Sequence, residues 1–215
     1  HMSISSIFDT HSVDCLVVGK STEDSSALAR YRSTHRDRNF IKLNQCHTNH
    51  CLILRAQDDL DSEELQKPAD AVLSDRTDVV LSLYTADCAP ILLYHPSGII
   101  GAIHAGRKGT ELGVLREALL SLKAVWGVEK DVILWFGPAI CKACYQIEKT
   151  TDLRYDLRAK NTQQAEEVFD DKSIEIIYSE QCTFHHNSEW YSYRREGVDV
   201  PMNHSYISLT PFAQP

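Results

Sequence analysis

The chain has 215 residues, of which 43% are hydrophobic and 24% charged, so it carries enough apolar material to bury one core. Its formal net charge of -8 argues against a main partner that is nucleic acid or an anionic membrane, because both need a basic face, but it leaves room for a local basic pocket. No apolar run approaches the roughly 20 residues of a bilayer span, and no leader-like segment opens the sequence. We therefore expect one domain over residues 1–215, cytoplasmic, with no nucleic-acid or membrane partner.

Clusters of β-branched and apolar residues predict strands along the whole chain. In chain order these are Cys15–Val18, Phe40–Leu43, Cys51–Leu54, Val79–Tyr84, Ile91–Tyr94, Ile99–Ile103, Val132–Phe136 and Ile174–Tyr178. Helical spacing predicts a helix through Leu112, Leu115, Leu119, Leu122 and Trp126 that ends at Gly127. A second, weaker helix is predicted over Thr162–Phe169. Strands with a few interspersed helices indicate a mixed α+β fold.

The seven cysteines are an odd number in a chain without a secretory signal, which favours reduced thiols over a disulfide framework. Cys141 and Cys144 form a Cys-X-X-Cys pair. A single such pair without a second one is weak evidence for a metal or redox site, so we interpret these two as structural thiols.

Three metal-binding residue types stand at the ends of predicted strands. His47 follows the strand Phe40–Leu43, Cys88 follows Val79–Tyr84, and His104 ends Ile99–Ile103. A polar side chain at the end of a buried strand is costly unless it is paired. If the three converge at one sheet edge, two histidines and one cysteine suit Zn²⁺ with a coordination position left open, as in catalytic zinc sites. Three structural side chains remain the alternative.

The other histidines are weaker candidates. His50 opens a predicted strand and ranks below His47, while His95 precedes Pro96 at a turn. The remaining six occupy polar or terminal contexts and are set aside: His1, His11, His35, His185, His186 and His204.

Six short stretches occur in the order seen in one known family. They are "LNQCHTNH", "TADCAPILL", "IGAIHAGRKG", "FGPAICKACYQIE", "CT" and "YSYRREG". In these motifs the chain resembles the laccase-domain family, also called the multicopper polyphenol oxidoreductase family. Its members are mostly described as purine nucleoside phosphorylases with adenosine deaminase activity. The similarity runs from about Phe40 to Leu209.

The resemblance implies a fold, a cofactor and substrates. It implies one α+β domain with mixed β-sheets packed centrally and flanking helices, and it places the metal ligands on His47, Cys88 and His104. The substrates it implies are a purine nucleoside and phosphate. A zinc ion with an open position activates water or orients an anion, so either water or phosphate could attack the nucleoside.

Further residues are candidates for the chemistry around that metal. Asp87 would hold a ligand or act as a base, since a metal-bound histidine commonly donates its other N–H to a carboxylate; the alternative is a strand-end cap. Arg107, Lys108 and Arg194 are candidates for binding phosphate, with solvated surface charge as the alternative. Gln45 would orient substrate or only cap a turn.

Several positions depart from the family pattern. Arg107 and Lys108 replace the usual Trp-Arg, which keeps positive charge and loses the indole ring. Gln146 replaces a glutamate, and Pro201-Met202 stand where Gly-Arg is usual. The motif carrying the metal ligands is intact, whereas its substrate-facing surroundings are altered.

Other chemistries remain open at the same residues. Cys88 and His104 could be the nucleophile and base of a cysteine hydrolase acting on an amide or a peptidoglycan precursor. A protein that keeps zinc but has lost turnover is another alternative. Copper-dependent phenol oxidation is disfavoured, because multicopper chemistry needs more ligands than this set supplies. Metal content discriminates the cysteine hydrolase from the zinc enzyme.

Overall fold

A computed structural model describes residues 2–3, 12–148 and 150–210, and both His1 and His11 lie outside these ranges. The described strands are β1 (Met2–Ser3), β2 (Val13–Val18), β3 (Asn39–Lys42), β4 (Cys51–Leu54), β5 (Ala71–Ser74), β6 (Val79–Thr85), β7 (Ala89–His95), β8 (Ile99–Ala105), β9 (Val132–Phe136), β10 (Ile174–Tyr178) and β11 (Asn203–Leu209). The helices are α1 (Thr22–Thr34), α2 (Arg107–Glu111), α3 (Val114–Trp126), α4 (Leu157–Val168) and α5 (Tyr193–Glu196), with a 3-10 turn over Glu63–Gln66.

The strands form two mixed sheets. The first has the order β1-β2-β11-β6-β3, in which only the β3–β6 pair is parallel among the described strands. The second has the order β10-β9-β7-β8-β5-β4, with parallel pairs at its two edges and antiparallel pairs between them. The predicted fold class, α+β with mixed sheets at the centre and helices outside, is confirmed.

The period-two alternation of buried strands builds a layered core. In β8, Ile100 and Ala102 face the first sheet, whereas Ile99 and Ile103 face α3. On the far side of the first sheet, α1 packs through Tyr31 and Ala27. Helix α1, the two sheets, and helices α3 and α4 are thus stacked in that order.

All eight predicted strands are present, with ends shifted by a few residues. The predicted main helix begins at Val114, so Leu112 lies outside it and is 52% exposed, while Gly127 ends the helix in the left-handed conformation as expected. The second predicted helix starts five residues too late: Asp156 caps α4 by accepting a hydrogen bond from Ala159 N. The sequence analysis does not predict strands β1, β5 and β11 or helices α1, α2 and α5.

One edge of the molecule collects the ends of strands from both sheets. β3 and β6 run parallel and end there, and β11 begins there, with Asn203 paired to Thr85. In the second sheet Ala105 at the end of β8 pairs with Ala89 at the start of β7. The loops that follow these strands therefore meet at this edge. Among the described residues, no helix has the length and apolar character needed to cross a membrane.

Candidate metal centre

The structure brings His47, Cys88 and His104 together at this edge. Each offers one ligand atom, and the three atoms lie within 4.8 Å of one another. Cys88 Sγ is 3.7 Å from His47 Nε2, and the two imidazole rings meet edge to face with centroids 4.9 Å apart. His104 is buried, whereas His47 is exposed, so the group opens to solvent on the His47 side.

A fully buried carboxylate, Asp70, lies behind the three residues. Its Oδ1 is 2.7 Å from His104 Nδ1 and accepts the backbone N–H of His47 at 3.0 Å. Its Oδ2 accepts the backbone N–H groups of Thr48 at 2.6 Å and Cys46 at 3.2 Å. One side chain thus fixes both the ring of His104 and the loop that carries His47. With Nδ1 engaged, His104 has Nε2 left for a ligand.

The backbone around the three residues is locally unusual. His47 and Asp87 have positive φ angles of 61° and 87°, which L residues adopt only when the surroundings demand it. Gly106 has no room for a side chain: an added Cβ would lie 2.6 Å from His47 Cδ2 and 2.8 Å from Cys88 Sγ. The glycine is therefore required for the close approach of the two side chains.

The electrostatics favour a thiolate at Cys88. Burial alone would raise the pKa of this thiol, but hydrogen bonding and charge from His104 and His47 outweigh it and lower the pKa to about 7. Burial likewise disfavours charge on His104, yet Asp70 and Cys88 raise its pKa to about 9. For Asp70, burial is outweighed by hydrogen bonds from His104 and Thr48, which lower the pKa to about 2. The carboxylate of Asp70 and the thiolate of Cys88 thus stabilise the protonated form of His104 that lies between them.

These residues fit a zinc ion. Thiolate and imidazole are ligands that zinc prefers, and a buried carboxylate behind a ligating histidine is the usual outer partner of such a site. The space that Gly106 leaves free lies against His47 and Cys88. Three protein donors leave a fourth position open, which is the pattern of a catalytic site.

The three donors line a cavity of about 980 Å³. Aromatic and apolar residues form much of its wall, among them Tyr84, Tyr145, Tyr193, Leu65, Val198 and Met202. Lys42 and Arg194 supply positive charge: the Lys42 ammonium lies 4.9 Å from the centroid of the Tyr84 ring, and the Arg194 guanidinium 5.5 Å from that of Tyr145. The cavity is large enough for a nucleoside and an anion.

The structure separates the four candidate substrate residues. Arg194 lines the cavity, and so does Gln45. Both ends of the Gln45 amide are engaged by the backbone of Tyr84, however, with Nε2 donating to its O at 2.8 Å and Oε1 accepting from its N at 3.0 Å. These two hydrogen bonds favour the alternative in which Gln45 caps a turn and does not orient substrate.

Arg107 and Lys108 lie at the start of α2, beyond the residues that line the cavity. Arg107 pairs with Glu111 at 3.2 Å, and its positive charge acts to lower the pKa of Tyr145. Lys108 is exposed. The charge of Arg107 therefore acts on Tyr145, which lines the cavity.

Asp87 lines the cavity, but its carboxylate already accepts two hydrogen bonds. It accepts hydrogen bonds from Thr183 Oγ1 and from the backbone N–H of Arg194, each at 2.6 Å. Its backbone carbonyl accepts from Ile140 N at 2.9 Å. The carboxylate that contacts a candidate ligand is Asp70, which the sequence analysis did not identify. Its one signal was a lone acidic residue directly before a short apolar run, "DAVLS".

Comparison with known proteins gives three findings. The family model described as multi-copper polyphenol oxidoreductase laccase matches residues 18–209. A purine nucleoside phosphorylase of Aquifex aeolicus is 30% identical over 193 residues, 85% of this chain and 89% of that protein. Purine nucleoside phosphorylase ORF3 of Streptomyces griseus is 39% identical over 79 residues, 36% of this chain and 32% of that protein.

The structural comparison supports the fold. YlmD from Geobacillus stearothermophilus superposes with a TM-score of 0.72 at 23% identity, covering 87% of this chain and 79% of that one. The chain spans 32% to 66% of the length of the first three curated relatives that it matches.

Proposed function

The chain belongs to the multi-copper polyphenol oxidoreductase laccase family, and from that premise we propose that it is a zinc-dependent purine nucleoside phosphorylase with adenosine deamination as a second activity. The observation that carries the proposal is the convergence of His47, Cys88 and His104 on the wall of a nucleoside-sized cavity. The names of the relatives supply the substrate class.

His47, Cys88 and His104 would hold the zinc ion, which when bound polarises an oxygen atom and stabilises negative charge. Asp70 acts as a positioning residue for this set. It fixes the orientation of the His104 ring through Nδ1 and leaves Nε2 facing the other donors. Its bonds to the backbone of residues 46–48 hold His47 in its positive-φ conformation.

Phosphate is bound by the cations of the cavity. Lys42 and Arg194 both line it, and the carboxylate of Asp87 is occupied by two hydrogen bonds. Charge-assisted hydrogen bonds from ammonium and guanidinium groups are the usual means of holding phosphate. Asp87 thereby serves to position Arg194 rather than to meet the substrate.

The purine ring is expected to pack on the aromatic part of the wall, where Tyr84, Tyr145 and Tyr193 lie. Burial and the nearby Cys88 thiolate raise the pKa of Tyr145, although Arg107 and Arg194 oppose this shift. The Tyr145 hydroxyl therefore keeps its proton and remains a hydrogen-bond donor to the purine or to phosphate.

In phosphorolysis, a phosphate oxygen forms a bond to the anomeric carbon of the ribose as the bond from that carbon to the purine nitrogen breaks. The purine leaves with the electron pair and takes up a proton, and ribose 1-phosphate is the second product. In deamination, water replaces the amino group of adenosine, giving inosine and ammonia. Both reactions need the same cavity, but only the first needs phosphate.

Two features favour zinc chemistry over the alternatives. Cys88, His104 and Asp70 are ordered like a hydrolase triad, but His47 places a third donor 3.7 Å from Cys88 Sγ, which a metal explains and a triad does not need. Within the described ranges, the groups able to hold a metal are two separate sets of three and four residues. Two such sets are too few for a multicopper centre.

Chromatography of nucleoside reactions tests the proposal. Zinc-loaded protein is incubated with adenosine, inosine or guanosine, with and without phosphate. We expect adenine and ribose 1-phosphate from adenosine only when phosphate is present, and inosine in its absence. Lys42→Ala should raise the phosphate concentration needed for half-maximal phosphorolysis and keep the zinc. The exposed Lys130→Ala is the matched control. If zinc-loaded protein consumes none of the nucleosides, the proposal is wrong.

A further inference from the structure

A second group of metal-binding side chains lies outside the candidate metal centre. Cys141, Cys144, Cys182 and His185 each offer one ligand atom, and these atoms lie within 4.8 Å of one another. All three cysteines are free thiols. Two of the four belong to the Cys-X-X-Cys pair, and the other two form a Cys-X-X-His pair that the chain brings beside it.

The distances within this group are close to those of a tetrahedral site. Cys144 Sγ is 3.1 Å from His185 Nε2, and Cys141 Sγ is 4.0 Å from His185 Nδ1. At a zinc–sulfur distance of about 2.3 Å, tetrahedral geometry places two sulfur ligands about 3.8 Å apart. Small side-chain rotations would therefore bring all four atoms into a coordination shell.

The backbone around the group is arranged to bring the two pairs together. Ala139 and Cys182 form a parallel bridge, in which Thr183 N donates to Ala139 O at 3.2 Å. The backbone N–H of Cys141 points at Cys182 Sγ at 3.3 Å. Amide groups directed at cysteine sulfur stabilise the thiolate that a metal requires.

We propose that Cys141, Cys144, Cys182 and His185 bind a structural zinc ion. Four protein donors of the Cys₃His type fill all positions of a tetrahedral zinc, which is the pattern of a structural site rather than a catalytic one. The spacing also fits, because each pair has two residues between its ligands, as zinc-binding pairs commonly have. The three thiols lose their protons when the ion binds.

This site would fasten one wall of the cavity. One ligand pair lies on the segment after β9 and the other on the segment after β10. The bridge between Ala139 and Cys182 joins these two segments, and a bound ion would join them a second time. Tyr145 directly follows Cys144, and Thr183, which donates to Asp87, directly follows Cys182. Zinc at this site therefore holds residues of the cavity wall in place without meeting the substrate.

Metal analysis of protein purified without a chelator or a nickel column tests the proposal. We expect about two zinc ions per chain in the wild type and about one in Cys88→Ala, because that change empties only the candidate metal centre. Cys144→Ser and His185→Asn should each keep about one zinc ion. His95→Asn, at a turn outside both groups, is the matched control and should keep the wild-type content.

A second measurement applies if Cys144→Ser does not fold. In Cys88→Ala, which retains only the proposed structural zinc, a chelator should lower the melting temperature, and adding His185→Asn should abolish that shift. If Cys88→Ala contains no zinc, the proposal is wrong. A Cys141–Cys144 disulfide, seen as a mass lower by two hydrogens before reduction, would also overturn it. If Cys88→Ala instead keeps the wild-type zinc content, the proposed function is contradicted and this inference still stands.

Discussion

Asp70 is the residue on which the geometry of the candidate metal centre depends most. Its carboxylate accepts hydrogen bonds from His104 and from three backbone N–H groups of residues 46–48, and it is fully buried. A site that depends on one outer carboxylate to this extent is preorganised: the cost of ordering the ligands is met when the protein folds.

Asp70→Asn should therefore weaken zinc binding. The amide cannot accept every hydrogen bond that the carboxylate accepts, and it removes the charge that favours a protonated His104 Nδ1. Loss of such an outer partner costs about 10- to 100-fold in metal affinity. Competition with a chromophoric chelator measures this. Asp78→Asn, which removes a carboxylate paired with Arg76 elsewhere, is the matched control, and equal affinities in the two variants would refute the role of Asp70.

Cys88 offers a test of the electrostatics. A thiol is alkylated as its thiolate, so the rate rises with pH through the pKa. In chelated protein we expect this rise near pH 7, because His104 and His47 lower the pKa of Cys88 to about 7 from 9.0. His104→Gln should move the rise to higher pH.

The same reaction reports on the metal. With zinc bound, Cys88 should react slowly at every pH until a chelator is added, since the ligated sulfur is held by the ion. Subtracting the reaction of Cys88→Ser isolates this thiol from the other cysteines. Fast alkylation of the zinc-loaded protein with zinc retained would favour the cysteine hydrolase hypothesis.

At the scale of elements, the end of β8 shows how the fold builds the site. Alternation along β8 puts His104 on the same face as Ile100 and Ala102, and the chain then turns into α2 at Gly106. The turn passes so close to His47 and Cys88 that a side chain at position 106 does not fit. The succession His104, Ala105, Gly106 at the end of β8 is thus required by packing as well as by chemistry.

Gly106→Ala should displace His47 or Cys88 and lower the zinc content while leaving the fold intact. Gly98→Ala is a suitable control, because its Cβ would meet nothing within 4 Å but its φ of +85° is strained for alanine. We expect Gly98→Ala to cost about 1 kcal/mol of unfolding free energy and to keep its zinc. Denaturant unfolding and metal analysis measure both effects, and normal zinc in Gly106→Ala would contradict the packing argument.

The sequence predicted elements whose apolar pattern is strong and missed those whose pattern is weak. All eight predicted strands contain a run of apolar or β-branched residues, and the buried face of α3 is apolar. Helix α1 buries few apolar side chains, β5 has only Val72 and Leu73 between two small residues, and β11 alternates apolar with polar residues, so none of them shows a strong apolar pattern. The late start predicted for α4 has the same cause, since its first turns are rich in polar residues.

The sequence identifies the three candidate ligands that the fold brings together, but not the residues that support them. His47, Cys88 and His104 stand at strand ends and in recognisable motifs, and both signals are visible along the chain. Asp70 and Lys42 carry no such mark, because their roles come from contacts between distant segments. His185 was set aside for the same reason: only the folded chain places it beside Cys141 and Cys144.

At the scale of the whole molecule, the fold works by gathering loops from both sheets at one edge. The residues that line the cavity there are spread along the sequence between Lys42 and Met202. The three candidate metal ligands come from three separate segments. Family membership and the fold, both expected from the motifs, are confirmed by the family model and by the structural comparison. Of the positions that depart from the family pattern, Met202 lines this cavity, and the three candidate ligands are all present beside it.

Zinc titration of metal-depleted protein tests the central claim most directly. Release of adenine from adenosine and phosphate is followed as Zn²⁺ is added to the wild type and to Cys88→Ala. We predict that the wild type gains activity with added zinc up to a plateau, while Cys88→Ala stays inactive at every zinc concentration. Full activity in the zinc-free wild type, or equal activity in the two proteins, would contradict the assignment of His47, Cys88 and His104 as the zinc centre of a nucleoside phosphorylase.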